Sequence, residues 1–364
     1  MNILFVGGDF SQTPKASGYV KKLVEEMNIP MTVYNGGPFS GIEEIMNTVH
    51  EYDVVYWFAN IPNTFIKGVG EIKERNPHCI LITSKNNYDK TYTINGLTSK
   101  MLSVKANLQL VFTKDNGKFQ ATIIDPLRNA FCENEEDIKV VAKILKDRVA
   151  KLKAYTREGT IRLGDKREVP DDQEFFDIVQ GYANTFHELI HAENTDRFLG
   201  NLSFRCEKGF PSFKKDKQIF VSRRNIDKRD ISVSGMVEVE FNQNQVGYYG
   251  DAKPSVDTPV QACLYDFYKN MRYMIHSHTY ILGAPFTKDV IPCGALEEVG
   301  AILLMFRSRN YSMIKVNLTG HGSIIMSNNL DDLKNIKYVG RPIPEFVTTM
   351  KFIGAPMKRV RLSK

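Results

Sequence analysis

Met274-Ile275-His276-Ser277-His278-Thr279-Tyr280 sets two histidines two positions apart in a run whose residues alternate. Alternation of period two marks a strand, where side chains at i and i+2 share a face. His276 and His278 are therefore expected side by side, as a chelating pair for one metal ion. A catalytic zinc takes three protein ligands and keeps one position open. A third ligand, a base and a substrate grip are then to be sought elsewhere in the chain.

A chain of 364 residues exceeds what one hydrophobic core organises, so two domains are expected. The net charge of +6 suits a protein that handles anionic metabolites. There is no dense basic stripe, so nucleic acid is not an expected partner. Five scattered cysteines without a Cys-x-x-Cys pair argue against a disulfide framework and for a reducing compartment. The opening Asn2-Ile-Leu-Phe-Val6 has no secretory pattern, and the longest apolar run, Ala301 to Phe306, is far short of a bilayer span. A cytoplasmic protein without a membrane partner is expected.

Residues 1–155 read as a Rossmann- or flavodoxin-like α/β domain of unassigned role. Short apolar strands at Ile3–Val6, Met31–Tyr34, Asp53–Trp57 and Cys79–Thr83 alternate with helices, which predicts a doubly wound parallel sheet. Gly7–Gly18 and Phe58–Asn60 fall at the carboxyl ends of strands, where such sheets collect ligands. Neither phosphate-binding glycine motif is present, so these glycines are read as turn formers. Asp115-Asn116-Gly117 predicts a hairpin between Ala106–Thr113 and Phe119–Ile124. A helix capped by Asn134 is expected to run to about Lys153, with Glu135, Glu136 and Asp137 in its first turn. Residues 156–172, with Gly159, Gly164 and Pro170, read as a linker, and 173–364 as the second domain with a basic tail.

His187-Glu188-Leu189-Ile190-His191 is a literal His-Glu-x-x-His, the arrangement of zinc proteases when it lies on a helix. No downstream Gly-x-x-His follows, so it is read as a helix surface that happens to carry two histidines. Farther on, Gly200-Asn-Leu-Ser-Phe-Arg205 opens a strand, and Ile219–Ser222 leads into Arg223-Arg224-Asn225. Lys253-Pro-Ser255 and Asp257 precede a helix with Thr258 as N-cap and Pro259 at its first position. Ile291-Pro-Cys293, Glu297-Glu298 and a strand from Val316 to Met326 carrying His321 complete the series.

This order resembles the class II aldolase/adducin family, which includes fuculose-phosphate aldolase and ribulose-phosphate 4-epimerase, over about residues 175 to 345. The family's Gly-Asn-x-Ser-x-Arg strand, Pro-Ser-x-acid stretch, His-x-His and final His-Gly are matched at Gly200–Arg205, Pro254–Asp257, His276/His278 and His321. The resemblance implies an α/β/α domain with a mostly antiparallel central sheet. It implies zinc, or another divalent metal, on His276, His278 and His321. It places Asp257 where the family has its catalytic glutamate, one methylene longer; Glu297 and Glu298 are reserve acid/base candidates. Phosphate binding would use Asn201 and Ser255. Ser222-Arg223-Arg224-Asn225 departs from the family's small hydroxyl and glycine loop, and its arginines suit a phosphate, a carboxylate or a nucleotide-linked sugar.

The activity implied is an aldolase-type lyase acting on a keto-sugar phosphate through an enediolate. A 4-epimerase or dehydratase on the same site is the nearest alternative, and a non-catalytic adducin-like interaction module the more distant one. A homo-oligomer, a tetramer by the resemblance, is also implied.

Overall fold

The computed structural model describes residues 1–61, 67–86, 93–115, 117–190, 198–206, 218–242 and 245–342. The chain divides into two compact units, one over Met1–Asp147 and one over Arg148–Ile343. The basic tail expected at 357–364 and His191 lie outside the described residues.

The first unit runs β1 (Ile3–Phe10), α1 (Gly18–Met27), β2 (Thr32–Gly37), α2 (Ser40–Thr48), β3 (Val54–Asn60), α3 (Lys67–Arg75), β4 (Ile80–Asn86), α4 (Ile94–Ser103), β5 (Leu108–Asp115), β6 (Lys118–Ile124) and β7 (Ala130–Glu135). Its sheet has the order β2-β1-β3-β4-β5-β6-β7. The pairings from β2 through β5 are parallel, as alternating strands and helices predict. The last two are antiparallel, the first pairing Asp115 with Lys118; Asn116, at the centre of the expected turn, lies outside the described residues. Leu4, Val6, Val55 and Trp57 face α2, α3 and α4 on one side of the sheet. Phe5 stacks on Tyr56 on the other.

The helix expected from residue 135 begins later, as α5 (Ile138–Ala154). Asn134 does not cap it. It has φ 48°, and its N–H donates to Thr122 Oγ1 inside β7, an overlooked strand. Asp137 takes the capping place, accepting from Lys139 N at 2.8 Å.

The second unit continues with β8 (Thr160–Gly164), α6 (Gln173–Ile190), β9 (Asn201–Arg205), β10 (Ile219–Ser222), β11 (Met236–Asn242), β12 (Gln245–Tyr249), α7 (Thr258–Phe267), β13 (Tyr273–Ser277), β14 (Tyr280–Ile281), α8 (Glu297–Met305), β15 (Met313–Leu318), β16 (Gly322–Ser327) and β17 (Tyr338–Val339). Its main sheet has the order β15-β16-β13-β9-β10-β11-β12-β8, antiparallel except where β8 joins β12. The stretch expected as a linker thus supplies an edge strand: Thr-Ile-Arg-Leu-Gly alternates, and its register places Thr160 opposite Val246. The single strand expected across His321 is a hairpin of β15 and β16, turned at Thr319–His321.

Alternation assigns the two faces of this sheet. Leu202, Phe204, Tyr273 and Ile275 pack with Phe175, Phe176 and Val179 of α6. Met274, Ile324 and Met326 pack with Val260 and Leu264 of α7 and Ile302 of α8. Burying each large apolar side chain contributes about 2 kcal/mol. His276 has the parity of Met274, so the layered core turns its ring toward the α7 face.

Candidate metal centre

His276 lies on β13 between Asn201 of β9 and Ile324 of β16. Its Nδ1 is 3.0 Å from the Ser323 carbonyl oxygen, which fixes the tautomer and turns Nε2 inward. His278 follows β13 directly, and the hairpin turn brings His321 beside both. The ring centroids are 5.1 Å apart for His276–His278, 4.7 Å for His276–His321 and 5.0 Å for His278–His321. The close approach of strand and turn needs glycine. Gly200 has φ 81°, and a Cβ there would lie 2.6 Å from the His276 carbonyl oxygen.

Asp257 occupies the N-cap position of α7, which moves Thr258 from the expected cap into the helix. Its side chain makes no capping bond. Instead Oδ2 accepts from Asn201 Nδ2 at 3.0 Å and lies 3.7 Å from His276 Nε2. Asn201 also donates to Ser255 Oγ at 2.9 Å and accepts from Gln261 Nε2. Both amide hydrogens of Asn201, expected on phosphate, are therefore spent orienting Asp257 and Ser255.

The donor set fits a metal. His276, His278, His321 and Asp257 are all at most 8% exposed. Yet His276 Nε2, His278 Nδ1 and Asp257 Oδ1 are buried without a hydrogen-bond partner among the described residues. An unsatisfied buried polar atom costs about 1–3 kcal/mol, so three together call for a ligand. One nitrogen from each of the three rings lies within 4.8 Å of the others. Burial, reinforced by His321, pushes His276 down to about 4. Burial and the neighbouring rings hold His278 well below the ordinary range. Both are neutral near pH 7, the form that binds metal.

The third ring is held differently. His321 Nδ1 contacts Glu298 Oε1, and its Nε2 is 3.1 Å from Cys293 Sγ. Burial opposes a charge on His321, but Cys293 and Glu298 outweigh it and raise its pKa well above the ordinary value. Burial also raises Glu298, and His321 pulls it part of the way back. A carboxylate behind a histidine is the usual device for fixing which nitrogen meets a metal. Glu297 does not enter the site; its carboxylate accepts from Thr156 N at 3.0 and 3.1 Å.

Of the expected phosphate loop, Ser222 is buried and its Oγ accepts from Leu202 N at 3.2 Å, a structural use. Arg223, Arg224 and Asn225 are exposed. Arg223 forms a bridge with Pro254, and Arg224 N donates to the Lys253 carbonyl, which lays the loop beside Ser255. Asn225 Oδ1 accepts from Phe198 N at 2.9 Å. His187 is exposed on α6 and enters no metal-binding group among the described residues.

Two further residues were not singled out from the sequence. Cys293 stood in the Ile-Pro-Cys stretch with no role attached. Arg341 donates through Nε to the His278 carbonyl at 3.0 Å and through Nη1 to the Gly320 carbonyl at 2.6 Å, tying together the turns that carry His278 and His321. It lies in Tyr338-Val-Gly-Arg-Pro342, where no spacing or motif marks it.

In the first unit, a cavity of about 590 Å³ opens where β1, β3 and β4 end, lined by Gly8, Asp9, Lys15, Ser17, Phe58 and Asn60. β1 and β3 flank the point where the strand order reverses. No described helix of either unit is long and apolar enough to cross a membrane.

Residues 180–308 match the family model of the class II aldolase and adducin N-terminal domain. Among solved structures, a sugar-phosphate aldolase from Thermotoga maritima is similar at 12% identity, over 43% of this chain and 90% of that one, with TM-score 0.30. The DNA/pantothenate metabolism flavoprotein from Streptococcus pneumoniae is similar at 11% identity, over 42% of this chain and 99% of that one, with TM-score 0.34. The C-terminal domain of the coenzyme A biosynthesis bifunctional protein CoaBC is similar at 14% identity, over 42% and 95%, with TM-score 0.32. No curated protein matches the sequence. The second unit of this chain carries a class II aldolase/adducin-type domain.

Proposed function

We propose that this domain is a zinc-dependent aldolase-type lyase acting on a keto-sugar phosphate or a related anionic sugar. The supporting observation is the convergence of His276, His278 and His321 beside Asp257, with buried polar atoms that no group among the described residues satisfies. A bound divalent ion would supply Lewis-acid stabilisation of negative charge on substrate oxygens. Three imidazoles with an open position suit zinc, the extra proton on His321 leaving as the ion binds.

The chain's own groups do the rest. Asn201 holds Asp257 Oδ2, so Oδ1 is the atom presented to a substrate proton. Glu298 fixes His321, and Arg341 fixes the turns on which His278 and His321 stand. Arg223 and Arg224, exposed beside Ser255, are proposed to grip the anionic end of the substrate. Aldol cleavage is preferred to epimerisation or dehydration on family precedent alone. A non-catalytic module would have no use for three buried unpaired donors. Free cysteines fit a cytoplasmic setting, and a homo-oligomer remains part of the proposal.

The test is metal content together with cleavage of a panel of keto-sugar phosphates. One metal per chain and measurable cleavage are expected, both lost in His276→Ala. Metal-free wild type purified from metal-replete medium, or full activity in His276→Ala, would sink the reading.

A further inference from the structure

Cys293 is the one donor at this centre that the proposed chemistry does not use. It stands in the loop ahead of α8, where Gly294 at φ 72° turns the chain close against Val256, the neighbour of Asp257. Its Sγ meets His321 at Nε2, the nitrogen left facing inward once Glu298 has taken Nδ1. Cys293 Sγ, an Asp257 oxygen and a His321 nitrogen lie within 4.8 Å of one another, as do the three imidazoles. Two three-donor sets therefore share His321. In the same residues, His276 Nε2, His278 Nδ1 and Asp257 Oδ1 are all buried and unpartnered among the described residues. A structural thiol packed for volume alone would not need to meet the inner nitrogen of this histidine. None of the other four cysteines is disulfide-bonded to it.

We propose that Cys293 is a thiolate ligand of the metal, making the centre a mixed imidazole–thiolate shell. The inference rests on the metal-dependent reading above and extends it to a residue that reading leaves idle. On binding, the sulfur–metal bond forms as the S–H bond breaks and the proton leaves to solvent; nothing is oxidised or reduced. The thiolate offsets one of the two charges of a divalent ion. Soft sulfur also biases the centre toward zinc, cobalt or cadmium and against magnesium or manganese.

Cobalt(II) alone is the probe. Wild-type protein is stripped with a chelator and reloaded, and its absorption spectrum is recorded with cobalt content measured in parallel. The expected result is one cobalt per chain with a near-ultraviolet thiolate-to-cobalt charge-transfer band. The band is lost in both Cys293→Ser and Cys293→Ala while cobalt remains bound to the three histidines. A wild-type spectrum with bound cobalt but no such band overturns the inference and leaves the metal centre standing. A band that survives in a folded Cys293 variant overturns it too, since the sulfur is then another cysteine's. Failure to bind cobalt, or equal binding by His276→Ala, overturns the metal centre itself. The wild-type measurement decides even if neither variant folds.

Discussion

In the first unit, the ends of β1, β3 and β4 border a cavity of about 590 Å³ whose polar lining, Asp9, Lys15, Ser17 and Asn60, is partly or fully exposed to water. In the second unit, the end of β13 meets a cluster of imidazoles, carboxylates and a thiol, with the imidazoles and Asp257 almost wholly buried. Water satisfies the polar groups of the first at no cost, so they carry no chemical signature. The second keeps out of water polar atoms that lack a partner among the described residues, an expense that persists only where something else completes them. Volume indicates where a molecule fits; uncompensated burial indicates where chemistry is done.

The contrast is broken most directly at Asp257. Asp257→Asn keeps the shape and the Asn201 contact but removes the base. Turnover is expected to fall by about 10²–10⁴-fold with metal content unchanged, as for loss of a general acid/base. A loss of metal equal to the loss of rate would make Asp257 a ligand only.

Acid provides the next largest effect, read in metal-free protein by thermal unfolding. His276 has a folded pKa of about 4 against an ordinary 6.5, so the unfolded chain binds protons first as pH falls. Stability is then intact above pH 6.5 and declines between 6.5 and about 4, by roughly 3 kcal/mol for this one ring. His321, shifted upward, has its linkage above that window, and His278, held below the ordinary range like His276, adds to the decline. His276→Asn should flatten the decline; an unchanged slope would locate the acid sensitivity elsewhere.

Glu298→Gln sharpens the comparison on a smaller scale. Removing the carboxylate behind His321 should weaken metal affinity by about 10–100-fold, read by competition with a chelator. Smallest of all is Asn60→Ala in the first unit, for which metal content and cleavage rate should both be unchanged. A drop in either would tie the open cavity to the buried centre.

How much of this was legible follows the same divide. The parallel strands of the first unit and the antiparallel sheet of the second announce themselves through alternation and short apolar runs. Spacing and resemblance single out His276, His278 and His321, and the fold brings their rings together. What failed to show was whatever depends on tertiary partners. Asn134 looks like a cap until β6 claims its backbone, and Thr160–Gly164 looks like a linker until β12 pairs with it. Asn201 was assigned to a phosphate because its neighbour in space, Asp257, is 56 residues away. Glu297 and Glu298 are adjacent in sequence and opposite in use, since only Glu298 is turned inward by α8.

The brace formed by Arg341 bears on the order of assembly. Asn201 and Asp257, then His276, His278 and Glu298, then His321 are translated before the side chain that ties their turns together. Contacts so distant along the chain form late, after the loops between them have closed. The nascent protein therefore passes through a stage in which all three imidazoles exist but are not yet fastened, and an ion captured then would be held by a looser grip than the finished molecule provides.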